Sequence, residues 1–114
     1  KLESWNDEAL RGVRSLSIVE GGVIAATPNG ALRFDGKRWE TPPWLGFAMS
    51  DVVATRTGQI WMATDRGIAV WDGSRLRRVD TRRGLAEDRT LDLAVDQFDR
   101  VWARGPGSLA LITQ

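Results

Sequence analysis

Residues 58–73, GQIWMATDRGIAVWDG, decide how the rest of the chain is read. The stretch holds two short apolar runs, 60–63 and 68–71. Thr64-Asp65-Arg66-Gly67 lies between them and Asp72-Gly73 follows. β-Branched and aromatic residues crowd both runs, and Gly or Asp bounds each. Pleated strands favour such side chains, which pack well on a half-buried surface, while Gly and Asp supply the backbone of tight turns. The stretch predicts strand, turn, strand, turn.

The same pattern recurs on both sides. Upstream, in residues 22–36, Thr27 falls on Thr64, Gly30 on Gly67, Phe34 on Trp71 and Asp35-Gly36 on Asp72-Gly73. Downstream, in residues 100–112, Trp102 falls on Trp61 and Ser108 replaces the turn glycine. Self-similarity at a period of about 40 residues, with four strand-like pieces per period, is the signature of β-propeller blades. The competing reading is three unrelated hairpins that share turn chemistry. The register holds across whole copies rather than at the glycines alone, which favours blades.

The 114 residues make one modest domain. A closed propeller has about 4–8 blades, so three periods predict either a piece of a longer, covalently continued propeller or copies that complete one ring. Net charge is +1 with acids and bases interspersed, so no basic stripe calls for nucleic acid. Apart from Lys1 and Lys37, every basic side chain is Arg. The chain lacks Cys and His, which removes disulfides, thiolate zinc sites, cysteine nucleophiles and the commonest general base. No apolar run approaches the ~20 residues of a membrane span. No cofactor or metal, and no membrane contact within this segment, is expected.

Taken in order, residues 1–5 resemble the piece after the central stretch, and predict the outermost strand of a preceding or closing blade. Residues 13–41 form one blade, 50–80 a second, and 90–113 a third that lacks its outer strand. Asp35-Gly36 predicts a type I′ hairpin with φ > 0 at both residues. Pro42-Pro43 ends the outer strand of the first blade. Residues 44–49, WLGFAM, form an apolar connector that either plugs a seam or lines a binding face. Trp61 and Trp102, equivalent in their copies, are expected in the core between blades. A spare strand at one end and a missing one at the other predict head-to-tail joining, each copy lending residues 1–5 to the next. Two copies would give about six blades and three about nine, and known blade numbers favour two.

The pattern Gly58-Gln59-Ile60-Trp61-Met62-Ala63-Thr64-Asp65-Arg66-Gly67-Ile68-Ala69-Val70-Trp71-Asp72-Gly73, followed by the connector pair Gly84-Leu85 and the next start Asp96-Gln97-Phe98-Asp99-Arg100-Val101-Trp102, resembles the two-component regulator propeller repeat. The first copy departs from it at Ile24 and Pro28-Asn29, and the third at Arg104-Gly105. The resemblance implies an extracytoplasmic, periplasmic input domain of a bacterial signalling protein. It implies a non-catalytic domain that binds a small, often saccharide-like ligand and relays a signal. The tryptophan–aspartate repeat, which Val70-Trp71-Asp72 also resembles, usually carries a Gly-His pair, and this chain has no His.

In propellers the turns between second and third strands and the connectors between blades share one face. That face would carry Trp44, Phe47, Asp65, Arg66, Glu87, Asp88, Arg89 and Arg104. Aromatic rings give apolar platforms, and Arg and Asp give directional hydrogen bonds to hydroxyls or carboxylates. Taken singly, each could equally be a surface charge or seam filler. Three functional classes follow: a ligand sensor, a protein-interaction scaffold using the rim or an edge, and an enzyme. Glu87 and Asp88 are adjacent, so in a strand they would point to opposite faces and make a poor acid–base pair. No nucleophile–base or metal spacing appears, and a non-enzymatic role is expected.

Overall fold

The computed structural model describes residues 1–5, 8–41 and 48–113. Apolar runs become strands wherever turn residues bracket them. The first blade contains β1 (Ser15–Val19), β2 (Gly22–Thr27), β3 (Gly30–Phe34) and β4 (Trp39–Glu40). The central blade contains β5 (Met49–Ala54), β6 (Ile60–Thr64), β7 (Gly67–Trp71) and β8 (Leu76–Val79). The third contains β9 (Asp92–Val95), β10 (Val101–Arg104) and β11 (Leu109–Ile112). Each blade is an antiparallel meander paired in chain order, β1-β2-β3-β4, β5-β6-β7-β8 and β9-β10-β11. The described residues are therefore all-β, forming two four-stranded blades and one three-stranded blade. The innermost strands lie side by side, with β5 between β1 and β9.

Register makes the copies equivalent. Thr27 pairs with Gly30, and Thr64 with Gly67. Ser15 lies opposite Ala26, Asp51 opposite Ala63 and Asp92 opposite Arg104, the same place in each blade. A buried threonine closes each of the first two turns between second and third strands. Thr27 Oγ1 donates to the Gly30 carbonyl (2.8 Å) and accepts from Asn29 N (3.1 Å). Thr64 Oγ1 donates to the Gly67 carbonyl (2.7 Å) and accepts from Arg66 N (3.0 Å). One hydroxyl thus satisfies two backbone groups that the tight turn leaves unpaired. Gly67 sits at φ 106°, and a Cβ there would lie 2.6 Å from the Val79 carbonyl oxygen. Both the backbone angle and the close approach demand glycine.

Alternation along each strand sends side chains to opposite faces. From the central blade, Met49, Val52, Ile60, Met62 and Ala69 pack toward the first blade with Ile24, Ala26 and Ala31. Trp61, Ala63, Ile68 and Val70 pack toward the third with Leu93, Val101 and Ala103. The central sheet is covered on both sides, which is why its strands are nearly continuous apolar runs. Trp61 is completely buried, as expected, whereas Trp102 is half-buried on the outward face of the third blade.

One local expectation changes. Residues 35–38 form a longer loop than a two-residue type I′ hairpin. Gly36 has φ 100°, but Asp99 is the sole non-glycine with positive φ among the described residues, so Asp35 does not. The Asp35 carboxylate instead accepts hydrogen bonds from Lys37 N and Arg38 N, an Asx-type turn that Asp35 N closes by donating to the Arg38 carbonyl (3.2 Å). Among the described residues of the single chain, residues 1–5 pair with no strand, so their expected pairing with another blade is a separate matter. Trp5 folds back on its own blade, edge-on to Phe34 at 5.1 Å and to Trp39 at 6.3 Å between ring centroids. The expected stop at Pro42-Pro43 and most of the 44–49 connector lie outside the described residues. Among the described residues no helix is long and apolar enough to cross a membrane.

Candidate functional site

The starts of the three innermost strands meet at one end of the blades. Asp51 ties them together. Its Oδ1 accepts from Ser15 Oγ (2.5 Å) in β1 and from Val52 N (2.8 Å), while Oδ2 accepts from Leu93 N (2.7 Å) in β9. A register shift between Met49 and Asp51 bulges Ser50 out of the ladder. A bulge re-aims its side chain, and Ser50 Oγ crosses the seam to donate to the Thr90 carbonyl (2.8 Å). Thr90 N in turn donates to the Thr64 carbonyl (2.9 Å). The junction is fixed by hydrogen bonds that span blades.

Over this junction lies a cleft of about 410 Å³ lined by Arg14, Ala48, Ser50, Asp65, Arg89, Thr90 and Leu91. Two of the residues expected on this face, Asp65 and Arg89, meet there. Asp65 comes from the β6–β7 turn, and Arg89 from the connector that leads to β9. Both are exposed, and among the described residues neither side chain has a hydrogen-bond or ion-pair partner. Arg14 adds a second guanidinium, anchored through one nitrogen to the Met49 carbonyl (3.2 Å). The cleft therefore offers two forked donors that match a carboxylate, and one carboxylate that accepts from hydroxyls. Among the described residues that line it, Asp65 is the one carboxylate. Among the described residues no cluster gathers as metal ligands would.

The other expected residues lie elsewhere or serve other ends. Arg66 is exposed on the same turn as Asp65 but does not line the cleft. Asp88 accepts from Thr81 N (2.9 Å) and so braces its own connector. Arg104 pairs with Asp92 on the third blade, Nε to Oδ2 at 2.7 Å. Glu87 reaches the β10–β11 turn, accepting from Gly107 N (2.9 Å) and Ser108 Oγ (2.5 Å). There it takes over the amide-accepting half of what the threonine hydroxyl does in the other two turns, since a carboxylate has no proton to donate. The Ser108 hydroxyl, then the Gly107 amide, hold its carboxyl below the usual range. Trp44 and Phe47 lie outside the described residues.

Arg14 and Ser50 escaped the sequence reading. A signal did exist: Arg14, Ser50 and Leu91 each precede the equivalent paired residue of their innermost strand, so threefold repetition alone brings them around one point.

A larger groove of about 620 Å³ opens on the seam between the first two blades, around Val19, Glu20, Arg33, Thr55, Arg56, Gln59, Ile60 and Trp71. Its guanidinium and amide groups are already committed, and Glu20 is its one carboxylate among the described residues. Arg33 donates to the Glu20 carbonyl (2.9 Å), Arg56 to the Gln97 carbonyl (2.5 Å), and Gln59 Oε1 accepts from Trp61 Nε1 (3.1 Å). Size favours this groove, but free directional chemistry favours the smaller cleft. Specificity comes from polar groups left available to a ligand, so the smaller cleft is the better candidate. No family model matches the chain, and no curated protein matches it.

Proposed function

We propose that the chain is a non-catalytic, ligand-sensing segment of a bacterial sensor propeller, acting in the periplasm, and that its ligand is a small saccharide-like molecule bearing a carboxylate. The observation that carries this reading is the cleft where, among the described residues, Asp65 and Arg89 stand without partners beside Arg14. Two guanidinium groups favour an acidic group, and Asp65 favours a neighbouring hydroxyl, a pairing that a sugar acid meets and a neutral sugar meets only in part. The resemblance of residues 58–73 to the two-component regulator propeller repeat supports the signalling context. Because the cleft joins all three innermost strands, an occupant there would bias how the blades sit against one another. A differential affinity for two blade arrangements is what a relay requires.

Thermal unfolding with a panel of uronic acids and their neutral parent sugars tests the proposal. A ligand that binds only the folded chain stabilises it by about 2.7 kcal/mol at a hundredfold excess over Kd. Uronates should raise Tm and neutral sugars should do so less, and Arg14→Ala with Arg89→Ala should remove the difference. A panel without effect, or an effect indifferent to both substitutions, would contradict the reading.

A further inference from the structure

The β10–β11 turn is closed by different means from its counterparts, and the change is coordinated along the chain. Because Trp102 falls on Trp61, Gly105 stands where the central blade has Thr64 and Ser108 where it has Gly67. In the first two blades the threonine hydroxyl accepts from the amide two residues on, Asn29 N or Arg66 N. In the third, that amide is Gly107 N, and it donates to Glu87 Oε2 (2.9 Å), which also accepts from Ser108 Oγ (2.5 Å). Gly105 makes the room. A Cβ there would lie 2.5 Å from Glu87 Oε2 and 3.0 Å from the Arg89 carbonyl oxygen. A side chain at that position would displace the carboxylate and press on the Arg89 backbone. The departure from the repeat at Gly105 is therefore one half of an exchange: the turn lacks its own acceptor where the connector brings one in.

That connector carries Arg89 into the cleft. Backbone and side-chain anchors flank it. Asp88 accepts from Thr81 N (2.9 Å), at the start of the same connector. Thr90 N donates to the Thr64 carbonyl (2.9 Å) of the central blade, and Leu91 N to the Arg104 carbonyl (2.7 Å) of the third. Ahead of Arg89, Glu87 is the residue that reaches the third blade. A threonine inside the turn closes one element, whereas a carboxylate from outside ties two elements together. A side chain whose backbone is already fixed loses less entropy when a ligand arrives, and so binds it more tightly.

We infer that Glu87 is a positioning residue for Arg89. By holding the connector against the β10–β11 turn, it sets where the guanidinium stands over the cleft. What Arg89 binds rests on the ligand-sensing reading above, but its placement can be measured without ligand.

The test compares the parent chain with Glu87→Ala, with Glu87→Gln, and with Glu87→Ala combined with Gly105→Thr and Ser108→Gly. The triple variant puts threonine and glycine back where the central blade has them. Backbone NMR relaxation reads the order of the Arg89 amide in the free chain, and calorimetric titration reads Kd for glucuronate. The Arg89 order parameter should be about 0.85 in the parent and below about 0.6 in Glu87→Ala. Glucuronate affinity should fall about tenfold in Glu87→Ala. Glu87→Gln keeps an oxygen for Gly107 N, so it should hold the order of Arg89 and bind within about threefold of the parent. The triple variant should recover the parent Tm without recovering order at Arg89 or affinity. Arg89 as ordered in Glu87→Ala as in the parent overturns the inference. So does a triple variant that recovers order and affinity along with Tm, which would leave Glu87 a closer of its turn and nothing more. A parent that binds no glucuronate, while Glu87→Ala still loses order at Arg89, contradicts the ligand reading and supports the positioning role.

Discussion

The central blade and its two neighbours carry nearly the same strands, yet equivalent side chains meet opposite environments. Val52 is 1% exposed and its counterpart Leu16 is 62%; Ile68 is 0% exposed and its counterpart Leu109 is 70%. Nothing in the side chains accounts for this, since all four are aliphatic. The difference is the neighbour. A single blade offers two apolar faces and can bury neither alone, so stability resides in the seams between blades, as in other repeat folds. The central blade has two seams and each flanking blade has one.

Substitutions at equivalent positions would break or sharpen this comparison. Trp61→Ala empties a completely buried site and should cost about 3–5 kcal/mol. Trp102→Ala, on the open face, should cost distinctly less although its ring nitrogen donates to Asp96 (3.0 Å). Urea unfolding followed by circular dichroism measures both without relying on the tryptophans. Equal losses would show that the two faces are not in different environments. The aliphatic pair comes next. Ile68→Ala should cost about 2–5 kcal/mol, and Leu109→Ala roughly 1 kcal/mol or less.

Turn glycines separate close approach from backbone angle. Gly67 and Gly73 have nearly the same φ, 106° and 105°, but a Cβ at Gly73 meets nothing within 4 Å. Gly67→Ala should cost about 1–3 kcal/mol more than Gly73→Ala if the Val79 carbonyl is the obstacle. Equal Tm values for the two variants would remove that obstacle from the account. Below these lies Thr64→Val, which keeps the shape and removes two hydrogen bonds, at a cost of about 1 kcal/mol.

Acid should produce the smallest effect, and its sign is defined. Asp96 is held below the usual carboxylate range chiefly by the Trp102 indole N–H and then by Arg100. Asp35 is lowered by the backbone amides of Arg38 and then Lys37, and Asp72 by those of Arg75 and then Ser74. A carboxylate whose folded pKa is depressed stabilises the fold above its unfolded value, and that stabilisation fades as pH falls through the folded one. Stability should therefore hold down to about pH 4 and decline below it. Asp96→Asn should flatten that decline more than Asp72→Asn, as read from Tm between neutral and acid pH.

The strands were legible because their punctuation is chemical. A threonine whose hydroxyl serves two backbone groups, followed by a glycine pressed against a carbonyl, can occur only where the chain turns. Faces were legible through alternation once two copies were aligned. Asp35 misled because Asp-Gly belongs equally to a tight hairpin and to an Asx loop, and only the pairing of the outer strand distinguishes them. Within the cleft, Asp65 and Arg89 could be placed on the correct end from topology alone. Ser50 could be placed at that end by repetition, but the direction of its hydroxyl across the seam could not, because a bulge is a local departure from alternation. Glu87 illustrates a different limit. Its partners Gly107 and Ser108 lie far along the chain, and the amide-accepting role performed by a threonine inside the turn of two copies passes, in the third, to a connector.

The claim on which the rest depends is that neighbouring blades, rather than the strands themselves, supply stability. Native-state hydrogen exchange measures this strand by strand. Amides of β6 and β7 should be the most protected, with β1 and β11 exchanging faster by orders of magnitude. Protection in β1 or β11 equal to that of β6 would contradict the account, since a blade with one seam would then be as secure as a blade with two.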